Sequence, residues 1–257
     1  MAADKARAIV IRAVPFGETS AVVTLFTREF GKLRALAKGA WRPKGGFDAA
    51  LDLLSSCQVL VLRKTSGGLD LLTEACLESR FRVATSLAAF HGGMYVAELL
   101  DALTADADPQ GELFDAASHT LHRLSGHAGP DAVVWPCIAR FELAALRAAG
   151  QAPALSRCAA CRAALPTAQR VAFGMLDGGV LCGHCRQGRR AVVSVSSGTL
   201  AALQRLVGPT RNEPEHPLPD AVSGELRAVM NTYLAHILGK RPRLAQRILP
   251  SAPRSSP

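Results

Sequence analysis

The sequence predicts an α+β multidomain protein, with a small five-stranded β-barrel followed by an α-helical domain that carries a four-cysteine module. Three observations predict it. Residues 1 to about 80 hold short β-branched apolar runs separated by glycine-containing turns. The apolar period lengthens near Phe81 from two residues to about 3.6. Finally, Cys158, Cys161, Cys182 and Cys185 form two Cys-x-x-Cys pairs twenty residues apart.

Each element follows from its residues. Arg7 to Val14 is a strand, Pro15 to Glu18 a turn and Ala21 to Thr27 a second strand. Glu29-Phe30-Gly31 turns the chain into a third strand, Lys32 to Lys38, and Gly39 to Asp48 is a basic loop. Cys57 to Lys64 and Leu69 to Cys76 pair across Thr65-Ser66-Gly67-Gly68. Five short strands suit a closed barrel of the OB type, and an SH3-like barrel equally. Helical spacing begins at Val83 and runs to Leu103. Asp108-Pro109 starts a second helix, and Pro130 a third that stops at Gly150. Residues 151 to 192 hold the cysteines and little periodicity. Ser197 to Val207 and Ser223 to Leu238 return to helix, with 209–219 as linker. The expected domains are a barrel at 1–80 and a helical domain at 81–250, with the cysteine module at about 155–190. The Pro/Ser-rich tail, 251–257, is expected to be disordered.

Bulk composition narrows the function. Of 257 residues, 49% are apolar and 20% charged, which suits packed cores and excludes a wholly disordered chain. A formal charge of +9 favours polyanionic partners, nucleic acid first. The charge is uneven. Arg28 to Lys44 holds six bases and one acid, Glu98 to Glu142 eight acids and two bases, and Arg227 to Arg254 six bases and no acid. Apolar runs are too short to span a membrane, and Met1 to Arg7 lacks the apolar core of a signal peptide. The expected location is the cytoplasm, with the cysteines reduced or metal-bound.

Two residues between thiolates let one tight knuckle present both sulfurs to a tetrahedral ion, and two knuckles complete a four-thiolate shell. One structural Zn2+ per chain is expected at Cys158, Cys161, Cys182 and Cys185. Cys182-Gly183-His184-Cys185 also has the form of a redox dithiol. Leu181 stands where such sites carry an aromatic residue, and that reading leaves the first pair unused. Cys57, Cys76 and Cys137 read as small buried hydrophobes.

Lys32, Arg34 and Lys38 alternate with Leu33, Ala35 and Ala37, so period-two geometry puts the bases on one face of a strand. Arg28, Lys32, Arg34, Lys38, Trp41, Arg42 and Lys44 are the candidate DNA-binding residues, with Trp41 available to stack on a base. An ordinary solvated strand face is the competing reading. Lys240, Arg241, Arg243 and Arg247 are a candidate second contact, for DNA or an acidic peptide. No catalytic residue is expected: Gly31-Lys32 and Gly239-Lys240 lack the rest of a P-loop, and no nucleophile elbow or dinucleotide fingerprint occurs.

Specific segments carry a resemblance. Gly17-Glu18-Thr19-Ser20, Val23 to Lys32 and Ala37-Lys38-Gly39-Ala40, in that order, closely resemble the N-terminal barrel of the RecO family of bacterial recombination mediators. Tyr95 to Leu99, and Phe141 to Leu155 leading into the first cysteine pair, fit the same family. The resemblance implies an N-terminal OB-fold, a helical C-terminal domain, and a zinc module where the four cysteines are kept. It also implies DNA repair by homologous recombination, through binding of single- and double-stranded DNA and annealing of complementary strands. RecR and the C-terminal tail of single-stranded DNA-binding protein are the implied partners, and loading of RecA the implied outcome. Lys44-Gly45-Gly46 departs from a Lys-Ser that family members often carry in this loop. Two other classes remain open, a dithiol oxidoreductase and a zinc-stabilised protein adaptor.

Overall fold

Alternation of apolar residues along the N-terminal strands closes a sheet around one core. The structure, a computed structural model, describes residues 3–42, 46–47, 50–64, 68–127, 129, 131–165, 168–208 and 216–248. It divides into two compact units, Met1–Ala128 and Gly129–Pro257. The expected disordered tail, most of the 209–219 linker and the Thr65–Gly67 turn lie outside the described residues.

The first unit holds β1 (Ala3–Phe16), β2 (Ser20–Thr27), β3 (Gly31–Ala37), β4 (Ser56–Leu62) and β5 (Asp70–Ser79). They form a closed barrel in the order β1-β2-β3-β5-β4, with β3 and β5 parallel. This Greek-key order is that of the OB-fold. Val10, Val23, Leu25, Val59, Val61 and Leu72 fill its core. Two helices complete the unit, α1 (Leu87–Leu103) and α2 (Gly111–Leu124). The Ser86 side chain caps α1 by accepting from the Ala89 N–H, so the helix starts four residues later than its apolar period suggests. α2 starts at Gly111 rather than at Asp108-Pro109. The preceding residues are diverted to the barrel: Asp106 bridges to Lys32, and the Ala107 N–H donates to the Lys32 carbonyl. Gly31 permits this approach. Its φ is +71°, and an added Cβ would run into the Asp108 backbone.

The second unit holds α3 (Val134–Ala148), a small sheet, α4 (Ser197–Val207) and α5 (Asp220–Leu238). The expected start of the third helix, Pro130, lies outside the described residues. Phe173 meets the Tyr233 ring edge-on at 5.6 Å, and the Tyr233 hydroxyl donates to the Gln151 carbonyl. Residues 151–192 are more ordered than their weak periodicity indicates. They contain β6 (Arg170–Gly174), β7 (Gly179–Leu181) and β8 (Val192–Ser196), in the order β7-β6-β8. No helix among the described residues is long and apolar enough to cross a membrane.

Candidate metal centre and nucleic-acid interface

The small sheet positions the cysteines. β6 and β7 pair through Ala172↔Leu181 and Gly174↔Gly179, and β7 runs directly into the Cys182–Cys185 knuckle. The first knuckle is held against β7 by the Ala159 N–H, which donates to the Val180 carbonyl at 2.7 Å. Gly179, at φ +154°, lets the Ala154 backbone pass close enough to bridge to it. Cys158 is fully buried and packs with Ala172 and Leu181, with Ala159, Leu165 and Val192 against them.

The four Sγ atoms lie within 4.8 Å of one another, the one such cluster among the described residues. Cys161 and Cys182 Sγ are 3.8 Å apart. Backbone donors serve the sulfurs: the Cys182 N–H points at Cys158 Sγ (3.3 Å), and the Cys185 N–H at Cys182 Sγ (3.4 Å). Burial pushes the Cys158 thiol up, but backbone donors from Cys161, Cys182 and Ala160 outweigh it and bring the thiol down to about 6. The Cys185 thiol, facing Cys161 and Cys182, is pushed up to about 12. A cation among the four sulfurs would favour the thiolate form of all four and offset the repulsion between them. The residues are placed to hold a metal ion. All four sulfurs share one point, whereas a redox dithiol needs only two. Arg157, Arg162, Arg186 and Arg190 surround the module and are exposed, and the nearby Asp177 pairs with Arg189 at 3.2 Å.

The basic strand is less open than alternation implies. Leu33, Ala35 and Ala37 point into the barrel, and Arg34 and Lys38 are exposed. Lys32 shares the Arg34 face but is only 6% exposed. Its Nζ donates to the Asp101 carbonyl at 2.7 Å and lies 3.4 Å from Asp101 Oδ1 and 3.7 Å from Asp106 Oδ1. Arg34 Nε is 3.8 Å from Asp106. Arg28 forks onto Asp115 through two bonds of 3.0 and 2.9 Å, which raise its pKa and lower that of the carboxylate. Arg7 approaches the same carboxylate at 3.6 Å. Three aspartates from α1, α2 and the segment between them thus hold four barrel cations. Sequence reading assigned these acids to a helical region and missed the cover. The backbone pairing of Asp106 and Ala107 with Lys32 has no local sequence signal, because it joins residues some seventy positions apart.

Lys38, Trp41 and Arg42 are exposed at the far end of β3. Lys44 lies outside the described residues. Lys240, Arg241, Arg243 and Arg247 are all exposed and follow α5, which ends at Gly239 in the left-handed conformation.

Comparison with known proteins finds two family models along the chain. Residues 1–81 match the Recombination protein O N terminal model, and residues 84–246 the Recombination protein O C terminal model. A DNA repair protein RecO of Rhodopirellula baltica is 36% identical, over 92% of this chain and 96% of its own. One of Myxococcus xanthus is 32% identical over 91% and 92%, and one of Anaeromyxobacter dehalogenans 37% identical over 92% of each.

Proposed function

The chain belongs to the Recombination protein O family, and on that premise we propose that it is a DNA repair and recombination mediator that acts by binding, without covalent chemistry. It binds single- and double-stranded DNA, anneals complementary strands and, with RecR, helps RecA replace single-stranded DNA-binding protein. The match of both halves to one family carries this reading. The charge pattern supports it: an excess of +9, with exposed bases on the barrel, the cysteine module and the end of α5. Two DNA strands repel through their phosphates, and a basic surface that neutralises both lowers the barrier to pairing. The acidic tail of single-stranded DNA-binding protein docks at Lys240, Arg241, Arg243 and Arg247, beside Ile237, Leu238 and Leu244. The protein works in the bacterial cytoplasm, on the nucleoid during repair.

The ion at the four cysteines is zinc, one per chain, in a structural role. A tetrahedral zinc with Zn–S bonds of about 2.3 Å sets its sulfurs about 3.8 Å apart. The Cys161–Cys182 separation of 3.8 Å fits that edge. A closed four-thiolate shell leaves no position for substrate.

Annealing of complementary oligonucleotides tests the function. Addition of the protein at low salt speeds annealing, and high salt abolishes the effect. If annealing is not accelerated at any salt concentration, the mediator reading falls and the basic surfaces serve an acidic protein partner.

A further inference from the structure

We infer that Phe16 and Trp41 form a two-ring platform for unpaired bases at the β1–β2 hairpin end of the barrel, and that this edge takes single-stranded DNA in preference to duplex. The inference rests on the DNA-binding reading above and adds a substrate preference to it. Phe16 is 57% exposed, Trp41 47% and Val14 41%. They come from two segments that the backbone ties together. Phe16 pairs with Ser20 across the hairpin, the Trp41 N–H donates to the Thr19 carbonyl at 2.9 Å, and the Gly39 N–H donates to Ser20 Oγ. Both rings therefore stand on anchored backbone at one edge, which lowers the entropy cost of ordering them against a ligand.

Neither ring is in an aromatic or cation–π contact among the described residues. Their faces are available. The charge beside them selects the occupant. Arg12, Lys38 and Arg42 are exposed there and make no ion pair among the described residues. By contrast, Arg7, Arg28, Lys32 and Arg34 are held by aspartates. The exposed acid Glu18 stands in the same turn as Phe16, so the exposed bases Arg12, Lys38 and Arg42 outnumber the acid there three to one. Cations beside aromatic faces complement a chain of phosphates with bases between them. In a duplex the bases already stack on one another and offer these rings no face. An unpaired base does offer one, and such stacking does not depend on sequence.

The test uses the full chain with Phe16→Ala, Trp41→Ala and the double substitution, binding labelled oligothymidine and a blunt duplex of matched length over a salt series. The double variant is expected to lose about tenfold or more in single-strand affinity. Duplex affinity stays within about twofold, and the salt slope is unchanged because no cation is removed. Phe16→Trp, which keeps a ring at that position, retains the parent single-strand affinity that Phe16→Ala loses. In the parent protein, oligothymidine quenches tryptophan emission, and Trp41→Phe removes most of that quenching because Trp135 is buried. Equal losses on both DNAs would overturn the platform, since the rings would then merely support the fold of the edge. Unchanged binding to both would overturn it too, assigning the rings to a protein partner while leaving DNA binding intact. If the parent protein bound neither DNA, the DNA-binding reading itself would fail with it.

Discussion

Lys32 carries its charge beneath the barrel surface, within reach of two aspartates and the Asp101 carbonyl. A cation so enclosed stabilises the fold and has no free donor face for phosphate. Lys38 and Arg42 are solvated and unpaired among the described residues, the state in which a base releases counterions from DNA. Lys32→Ala is therefore expected to lower stability by about 1–3 kcal/mol, read by denaturant titration, with the salt slope of DNA binding unchanged. Lys38→Ala and Arg42→Ala should each reduce that slope by about 0.7–0.9, read by binding over a salt series, with stability within about 0.5 kcal/mol of the parent. A second residue, Glu225, ties α4 and the small sheet to α5. It accepts from the Ser196 N–H at 3.0 Å, the Thr199 hydroxyl and the Arg170 guanidinium. Burial pushes its carboxyl up, but hydrogen bonds from Ser196, Thr199 and Arg170 prevail and hold it at about 2, against an ordinary 4.5. With the folded pKa depressed, its stabilisation is complete above about 4.5 and is lost as pH falls towards 2. Glu225→Gln should lower the thermal midpoint at neutral pH, and the gap to the parent should close across that window.

At the scale of elements, β7 and the two knuckles form a unit too small to fold on apolar burial alone. Its buried cluster is Cys158, Ala172 and Leu181, so an ion held by the four cysteines would supply much of the local folding energy. Cys158→Ser with Cys182→Ser is expected to abolish the bound metal, measured by elemental analysis, and to lower the thermal midpoint. DNA affinity should change less than stability does. A variant that keeps the parent midpoint would show that the module does not depend on its ion. The three strands around this site were partly legible in the sequence. Val192 to Ser196 is β-branched, and Asp177-Gly178-Gly179 is a turn signal, but runs of three to five residues are too short for periodicity to declare. The α1–α2 connection was not legible at all. Its acids read as a solvated helical stretch, and only the backbone pairing of Asp106 and Ala107 with Lys32 turns them onto the barrel.

For the whole molecule, the division into units redistributes the charge. Residues 1–128 carry fourteen Lys/Arg and fourteen Asp/Glu, and residues 129–257 carry sixteen and seven. The entire +9 excess thus belongs to the second unit, although Arg28 to Lys44 in the first holds six bases against one acid. Long-range attraction of DNA should depend on that unit, whose cysteine module exposes Arg186 and Arg190. Arg186→Glu with Arg190→Glu should slow association with duplex at low salt severalfold, measured by stopped-flow, and leave it unchanged at high salt. Residue order by itself determined the five barrel strands, most of the helices and the two cysteine pairs that the fold brings together. Those features rest on local period, turn chemistry and a two-residue spacing, all of which act over a few neighbouring positions. Only the tertiary structure decided which bases remain free, because an ion pair such as Arg28–Asp115 joins residues 87 apart and depends on where whole elements pack. It also brought Phe16 and Trp41 to one edge, since strand pairing and a single backbone hydrogen bond, rather than their spacing in the chain, hold them there.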